Sequence, residues 1–599
     1  MFGIFRYFRK LDYLLVAICF GLLVAQVWFD LRIPDYMSKV TTILGSGQGN
    51  TGQIWSICYE MLLFAGGSLL VAIFVGLLSA FVGAGFSKRM RTKVYDKVDS
   101  FGLFEMEKFG TASLVMRSTN DITQVRMFIT MGLQMLIKAP MMAVWAIVTI
   151  SGKRFEWSLA TIVAVGILCV MFAIILVLVI PKFSKMQQMT DDLNRITREN
   201  LLGLSVVRAY NSEKYQQAKF ETANKRLVRA QIFTGQASST MLPIMSFVLN
   251  ALTLSIFWMG AYIINATPSL QDKGEIFGNT IVFSSYSVLI VQAFMQITMI
   301  FIFLPRASVS AKRIKEVLAV KPRVVEGECT QGVEGAVGTL CFEKVCFGYS
   351  QKEVLHDISF EIAGGQTLAL IGSTGSGKTT VVNLLNRFYD VTSGKIWLDG
   401  VDIKEYCFES LYQKIGLVTQ KAVMFDGTVA SNVAFGVERP LPNEECGQEE
   451  TSHKAEQYAQ DICEALHIAG AKDFVDNMPD KEFAEIARGG QNVSGGQKQR
   501  LSIARAVFKK PEFLVFDDSF SALDYKTDRA VRSALNQKTK GTTKIIVAQR
   551  IGTIKDADKI IVLDAGQVVG VGTHKALLKE CAVYYEIAKS QLSEEELLA

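Results

Sequence analysis

The chain has no two cysteines at CxxC spacing; its ten cysteines occur singly, several of them inside apolar stretches. That excludes the common zinc and thiol-redox frameworks and points to small buried hydrophobes in a reducing or lipid setting. No small-residue cleavage site follows the first apolar run, which therefore reads as a retained span and not as a removed signal peptide. Charge is scarce too: 20% of residues are Asp, Glu, Lys or Arg against 50% hydrophobic, an apolar share high for a soluble protein. The apolar excess lies before about residue 305, and the remainder has ordinary α/β composition. At 599 residues the chain is expected to hold two or more domains. Its net charge of +6 does not imply nucleic acid, because the basic residues lie mainly in loops between apolar segments.

A bilayer core takes roughly 20 apolar residues as helix. Six runs qualify: 13–29, 61–87, 127–152, 157–181, 239–266 and 276–305. The connections after the third and fifth are short; those after the second and fourth are long, polar and helix-forming. One long connection carries Lys88, Arg89, Arg91, Lys93 and Lys97, the other Lys182, Lys185, Arg195, Arg198 and Arg208. Positive charge places both, with both termini, on the cytoplasmic side of a plasma membrane. Lys138 is the one charge well inside a span. It is expected either to snorkel to the inner headgroups or to meet an anionic substrate.

From about Thr339 short β-rich runs alternate with helical ones, as in an α/β domain. A strand over 366–371 feeds Gly372, Ser373, Thr374, Gly375, Ser376, Gly377, Lys378, Thr379 and Thr380, a full GxxxxGK[ST] match followed by a helix. Glycines let backbone N–H groups close round phosphates at a helix N-terminus; Lys378 meets the β/γ charge and the Thr379 hydroxyl ligates Mg²⁺. A second strand, 513–516, delivers Asp517 to the Mg²⁺ side, with Asp518 next to it. Between them Ser494, Gly495, Gly496 and Gln497 open a basic helix, a second phosphate-binding end. One subunit cannot easily bring both ends to one γ-phosphate, whereas a head-to-tail dimer can.

The P-loop, "VSGGQKQRLSIARA" and "FDDSFSALD", in that order, resemble the ATPase domain of ATP-binding cassette (ABC) transporters over 339–590. The resemblance implies that Tyr349 of "CFGYS" stacks on adenine. It also implies that Gln420 of "GLVTQ" touches Mg²⁺ and the membrane domain, and that Asp524 is the D-loop aspartate. The first half is similar to the exporter-type membrane domain. "GTASLVMRSTND" (110–121) and "ENLLGLSVVRAYNSEKY" (199–215) resemble its two coupling regions, and "RASVSAKRIKEVL" (306–318) its exit from the sixth span. The second coupling helix, near 210–217, is then expected to dock on a partner's ATPase domain. The implied architecture is an α-helical transmembrane domain over 1–320, a linker over 321–338 and a P-loop ABC nucleotide-binding domain over 339–599.

Two positions depart from the family. Asp518 stands where the hydrolysis base is a glutamate, and Gln549 of "IIVAQRIGTI" where the switch histidine belongs. Asp518 is one methylene shorter, about 1.5 Å of reach, and a misplacement of that order costs about 10²-fold. Gln549 can hydrogen-bond a phosphate but cannot carry an imidazolium's charge. With "ARGGQNVSGGQ" (487–497), this resembles the degenerate-site subunit of bacterial heterodimeric multidrug exporters; a slowly hydrolysing homodimer is the competing arrangement. The expected activity is ATP-driven export of small amphiphiles, drugs or lipids, across the cytoplasmic membrane. One site uses this chain's Tyr349, Lys378, Thr379, Gln420, Asp517, Asp518 and Gln549; the other takes Ser494–Gln497 to the partner's ATP. A metal-chelate importer or a lipid flippase on the same fold remains the alternative, and the polar stretch 437–452 reads as a solvated loop.

Overall fold

The computed structural model describes residues 6–46, 51–151, 155–349, 352–436 and 448–593. Of the stretch 437–452, the part up to 447 lies outside the described residues, and from Gln448 the chain is helix (Gln448–Ile468). The chain forms two compact units, 1–99 with 111–320, and 100–110 with 321–599.

The first unit is helical: α1 (Lys10–Ser46), α2 (Thr51–Asp99), then, past a short helix α3 (Leu103–Phe109) that belongs to the second unit, α4 (Thr111–Ser118), α5 (Asn120–Ser151), α6 (Phe155–Leu202), α7 (Leu204–Ala209), α8 (Glu213–Ala266) and α9 (Leu270–Ala319). Among the described residues six helices are long and apolar enough to cross a bilayer. Several overshoot it: α2, α6 and α8 have 49, 48 and 54 residues, more than twice the roughly 20 a span needs. The surplus is the polar, basic sequence of the two long connections, which continues the spans as helix. Large apolar side chains such as Leu62, Leu69, Phe81, Ile162 and Val177 stay exposed, as suits helices solvated by lipid or by another chain.

Inside this unit the scarce polar groups pair across helices. Tyr286 on α9 donates to the Leu31 carbonyl (2.8 Å) and Asp35 Oδ1 (2.9 Å) on α1. Ser310 on α9 donates to Asp121 Oδ1 on α5 (2.7 Å), and Arg89 on α2 pairs with Asp12 on α1. Lys138 is paired within the helical unit. Its Nζ sits 3.0 Å from Asp30 Oδ2 on α1, and Ser68 on α2 donates to the other oxygen at 2.5 Å. An ammonium inside a span is costly unless paired. The partner was hidden because α1 continues past the apolar run that ends at 29, carrying Asp30 along the same helix.

Among the described residues the second unit has three sheets, the smallest an antiparallel pair of β7 (Gly427–Thr428) and β8 (Glu485–Ile486). A four-stranded antiparallel sheet has the order β2-β1-β4-β5, with β1 Leu340–Phe347, β2 Leu355–Ile362, β4 Ser393–Leu398 and β5 Val401–Asp402. A six-stranded sheet has the order β12-β11-β3-β10-β9-β6, with β3 Thr367–Gly372, β6 Ile415–Val418, β9 Phe513–Asp517, β10 Thr543–Val547, β11 Lys559–Asp564 and β12 Gln567–Gly572. Its pairs are parallel except β11–β12. The central strands are buried on both faces, hence their continuous apolar runs, ALI at 369–371 and FLVF at 513–516. Parallel β3, β10 and β9 end side by side, which brings the turns after them together.

Helix α3 and its flanking residues, 100–110, pack into the second unit. Glu105, 2% exposed, accepts from the Gly102 N–H (3.1 Å) and the Arg323 N–H (3.2 Å). The Arg323 guanidinium lies 3.4 Å over the Phe104 ring, and Tyr389 donates to Glu107 at 3.4 Å. Burial, and then the Glu107 charge, push the Tyr389 phenol up to about 12. Residues 111–118 instead stay with the first unit, where Arg117 meets Glu316 (3.1 Å) and the Arg313 carbonyl on α9.

Candidate functional site

Strand β3 ends in Gly372, and the chain loops to helix α10 (Lys378–Leu385). Two glycines are required sterically. A Cβ at Gly372 would lie 2.0 Å from the Leu563 carbonyl, and one at Gly377, whose φ is 99°, 2.5 Å from the Leu355 side chain. Lys378 curls back over this loop, donating to the Gly372 (2.9 Å) and Ser373 (2.7 Å) carbonyls and to Ser376 Oγ (3.3 Å). Burial holds its pKa below that of a free lysine, while Asp518 and Asp517 oppose the shift.

Asp517 closes β9 and is 7% exposed. The Thr379 hydroxyl donates to its Oδ1 at 3.3 Å. Burial pushes this carboxyl up, and the Asp518 charge adds to the effect against Thr379 and Lys378. A hard divalent cation bound by the Thr379 oxygen and this carboxylate would offset that cost, so the donor set fits Mg²⁺ held with the phosphates of ATP. The ion would supply Lewis-acid stabilisation of phosphate charge.

Asp518 follows in a left-handed conformation (φ 47°), its N–H bonded to the Val547 carbonyl at 3.0 Å. Gln420, in the loop after β6, and Gln549, after β10, both donate to the same oxygen, Asp518 Oδ2, at 3.2 and 3.1 Å. The structure thus brings Gln420 to Asp518 through its amide, while Thr379 holds Asp517. Tyr349 is half-buried: its hydroxyl meets Thr380 Oγ1 at 3.1 Å, and Phe347 and Tyr389 pack edge-on at 4.9 and 5.1 Å. These contacts fix the ring beside α10.

Ser494 caps the helix Gly495–Phe508 through a capping box: its Oγ accepts from the Gln497 N–H (3.4 Å), and Gln497 Oε1 accepts from the Ser494 N–H (2.8 Å). Gly495 and Gly496 supply first-turn N–H groups that have no intrahelical acceptor. Among the described residues no hydrogen bond joins Ser494–Gln497 to Gly372–Thr380. Asp524 caps the helix Tyr525–Lys538, accepting from the Thr527 N–H (3.0 Å) and hydroxyl (2.7 Å), which hold its carboxyl below the usual range.

Sequence reading missed the side chains that hold these loops. Gln591 donates to the Gln549 carbonyl (2.8 Å) and accepts from the Ile551 N–H (2.8 Å), so the C-terminal segment sets the loop bearing Gln549. Gln499 donates to the Thr419 carbonyl (3.1 Å), tying the Ser494 helix to the Gln420 loop. A signal for Gln499 existed, since it lies inside the conspicuous "SGGQKQR"; nothing local marks Gln591.

An apolar helical unit joined to a P-loop unit defines a nucleotide-driven membrane transporter. Residues 355–521 match the ABC transporter family and residues 16–298 the ABC transporter transmembrane region. An uncharacterised ABC transporter ATP-binding protein of Mycobacterium tuberculosis is 37% identical over 581 residues, 96% of each chain. A multidrug resistance ABC transporter ATP-binding and permease protein of Lactococcus lactis is 28% identical over 565 residues, 94% of this chain and 91% of that one. The structure of a bacterial Atm1-family ABC exporter with ATP bound has the same fold, with a TM-score of 0.76 at 22% identity, covering 97% of this chain and 98% of that one. The chain belongs to the ABC transporter family. It has the ABC exporter fold, with a multi-span membrane unit and an ATPase domain that binds ATP and couples its hydrolysis to transport.

Proposed function

We propose that this chain is the weakly hydrolysing half of a heterodimeric exporter of small amphiphiles, drugs or lipids, with its ATPase domain in the cytoplasm. The observation that carries the proposal is the bridge at Asp518. The carboxylate at the attacking-water position is short, and two side-chain amides occupy the same one of its oxygens, so an ATP bound here meets a base that is both retracted and engaged. The assignments of Tyr349, Lys378, Thr379, Gln420 and Asp517 to ATP and Mg²⁺ at this site, and of Ser494–Gln497 and Asp524 to the partner's site, rest on the motifs and on the way each loop is held. ATP binds the closed pair of domains better than the open pair, and this difference drives the membrane helices between access states. Export of amphiphiles is favoured by the Lactococcus lactis relative and by spans lined with apolar and aromatic side chains.

Purified alone, the chain is expected to bind Mg²⁺-ATP yet hydrolyse it about 10²-fold or more slowly than the assembled transporter, as loss of a general base implies. Nucleotide binding by fluorescent-ATP titration, with phosphate release in parallel, measures both. Robust turnover by the isolated chain would remove the degenerate-site assignment. Uptake of a labelled amphiphile into inside-out vesicles, dependent on ATP, tests the direction; efflux from them would favour an importer.

A further inference from the structure

A separate feature of the membrane unit has an apolar cavity of about 240 Å³ lined by Phe8, Tyr13, Val16, Phe128, Gly132 and Leu136, among others. Its α5 lining falls at 128, 129, 132, 133, 136 and 137, one face of the helix. Gly132 keeps it open: a Cβ there would only touch Leu136 (3.4 Å) and Phe128 (3.7 Å), and a larger side chain would enter the space. Its other wall is the segment leading into α1 together with the first turns of α1, fixed by Phe8 against Phe86 (5.5 Å) and Tyr13 (5.7 Å) and by Lys93 over Tyr7 (4.9 Å). On that segment Arg6, Arg9 and Lys10 are exposed. An apolar slot, with exposed cations close in sequence to its Phe8 and Tyr13 wall, offers what one amphiphile needs: depth for a hydrocarbon chain and charge for an anionic head. A single chain binds membranes only marginally, and a polybasic patch is the second signal that makes attachment stable.

We propose that this cavity holds one acyl chain of an anionic phospholipid of the leaflet facing the ATPase domain, with its headgroup against Arg6, Arg9 and Lys10. The proposal does not depend on which amphiphile is carried; it rests only on the positive end of α1 facing that leaflet. A lipid held there would brace the entry to α1 against α5.

The test uses the full-length chain with its co-purifying partner, in phosphatidylcholine vesicles doped with phosphatidylglycerol bearing a diazirine near the end of one acyl chain. After illumination, peptide mass spectrometry locates the adducts. Adducts are expected on 128–137 and 13–16, and Gly132→Leu should cut them about tenfold, the worth of about two buried methylenes. Labelling of Ile162 and Val163, exposed on α6, should stay unchanged. If Gly132→Leu misfolds, the Arg9→Gln/Lys10→Gln pair serves: it should lower labelling by the phosphatidylglycerol probe and not by a phosphatidylcholine probe of the same chain. Cavity labelling no higher than at Ile162, as when another chain covers this face, overturns the proposal. Equal labelling by the two headgroups also overturns it.

Discussion

Gly495→Asp in the assembled transporter is expected to lower ATP turnover by about 10²–10³-fold, the usual cost of losing a donor aimed at developing charge. The substitution should not harm the fold. A Cβ at Gly495 would meet no atom within 4 Å, and a carboxylate in the first turn favours a helix N-terminus. The loss would arise where the helix meets the partner's γ-phosphate, from like charge and bulk. On the proposed two-site arrangement Lys378→Ala behaves differently. Lys378 serves the site in which Asp518 is short and bridged by Gln420 and Gln549, so its loss should weaken nucleotide binding there and slow the cycle by about tenfold or less, the equivalent of about 1.4 kcal/mol. Asp518→Glu supplies the missing reach, but Gln549 still lacks an imidazolium's charge, so only partial recovery at that site is expected. Steady-state phosphate release from the three variants, with their Tm values, decides the matter. Equal inactivation by Lys378→Ala and Gly495→Asp would show that the two sites are functionally alike.

How much was legible depended on whether a residue's partners lie near it in sequence. The P-loop, Asp517 and the Ser494 helix end were readable because the chemistry of each is confined to a few consecutive positions beside a strand or helix end. The six spans were readable because hydrophobic length is a local property, although the ends of the helices were not: α1 runs on past its apolar core and α9 passes through Pro305 to Ala319. What escaped was held from a distance. Gln591 orients the Gln549 loop from 42 residues away, and Glu105 joins its helix to Arg323 across 218. Neither pairing has a periodicity or spacing that announces it. Lys138 was conspicuous as a charge, yet its meaning changed once Asp30 and Ser68 were placed beside it.

Asp30→Asn is expected to destabilise the membrane unit strongly. Lys138 would keep its charge inside a span and lose the carboxylate 3.0 Å away. Both side chains are about four-fifths buried, at 20% and 21% exposure, so solvent screens the pair only in part. Removing one partner of such a pair typically costs about 3–5 kcal/mol, because the other charge is left uncompensated. Lys138→Met leaves Asp30 its bond from Ser68, so its cost should be smaller. The double variant Asp30→Asn/Lys138→Met removes both charges and should recover most of the loss. The coupling, measured as a double-mutant cycle on the apparent Tm in lipid nanodiscs, should then be large and of the sign that rescues. Additive losses would mean that the two residues do not act as a pair. If Lys138 instead met an anionic substrate, Lys138→Met would alter substrate stimulation of ATPase while Asp30→Asn left it unchanged. A lysine held by Asp30 gives parallel changes in both variants, because each releases α5 from the α1–α2 hairpin at the same point.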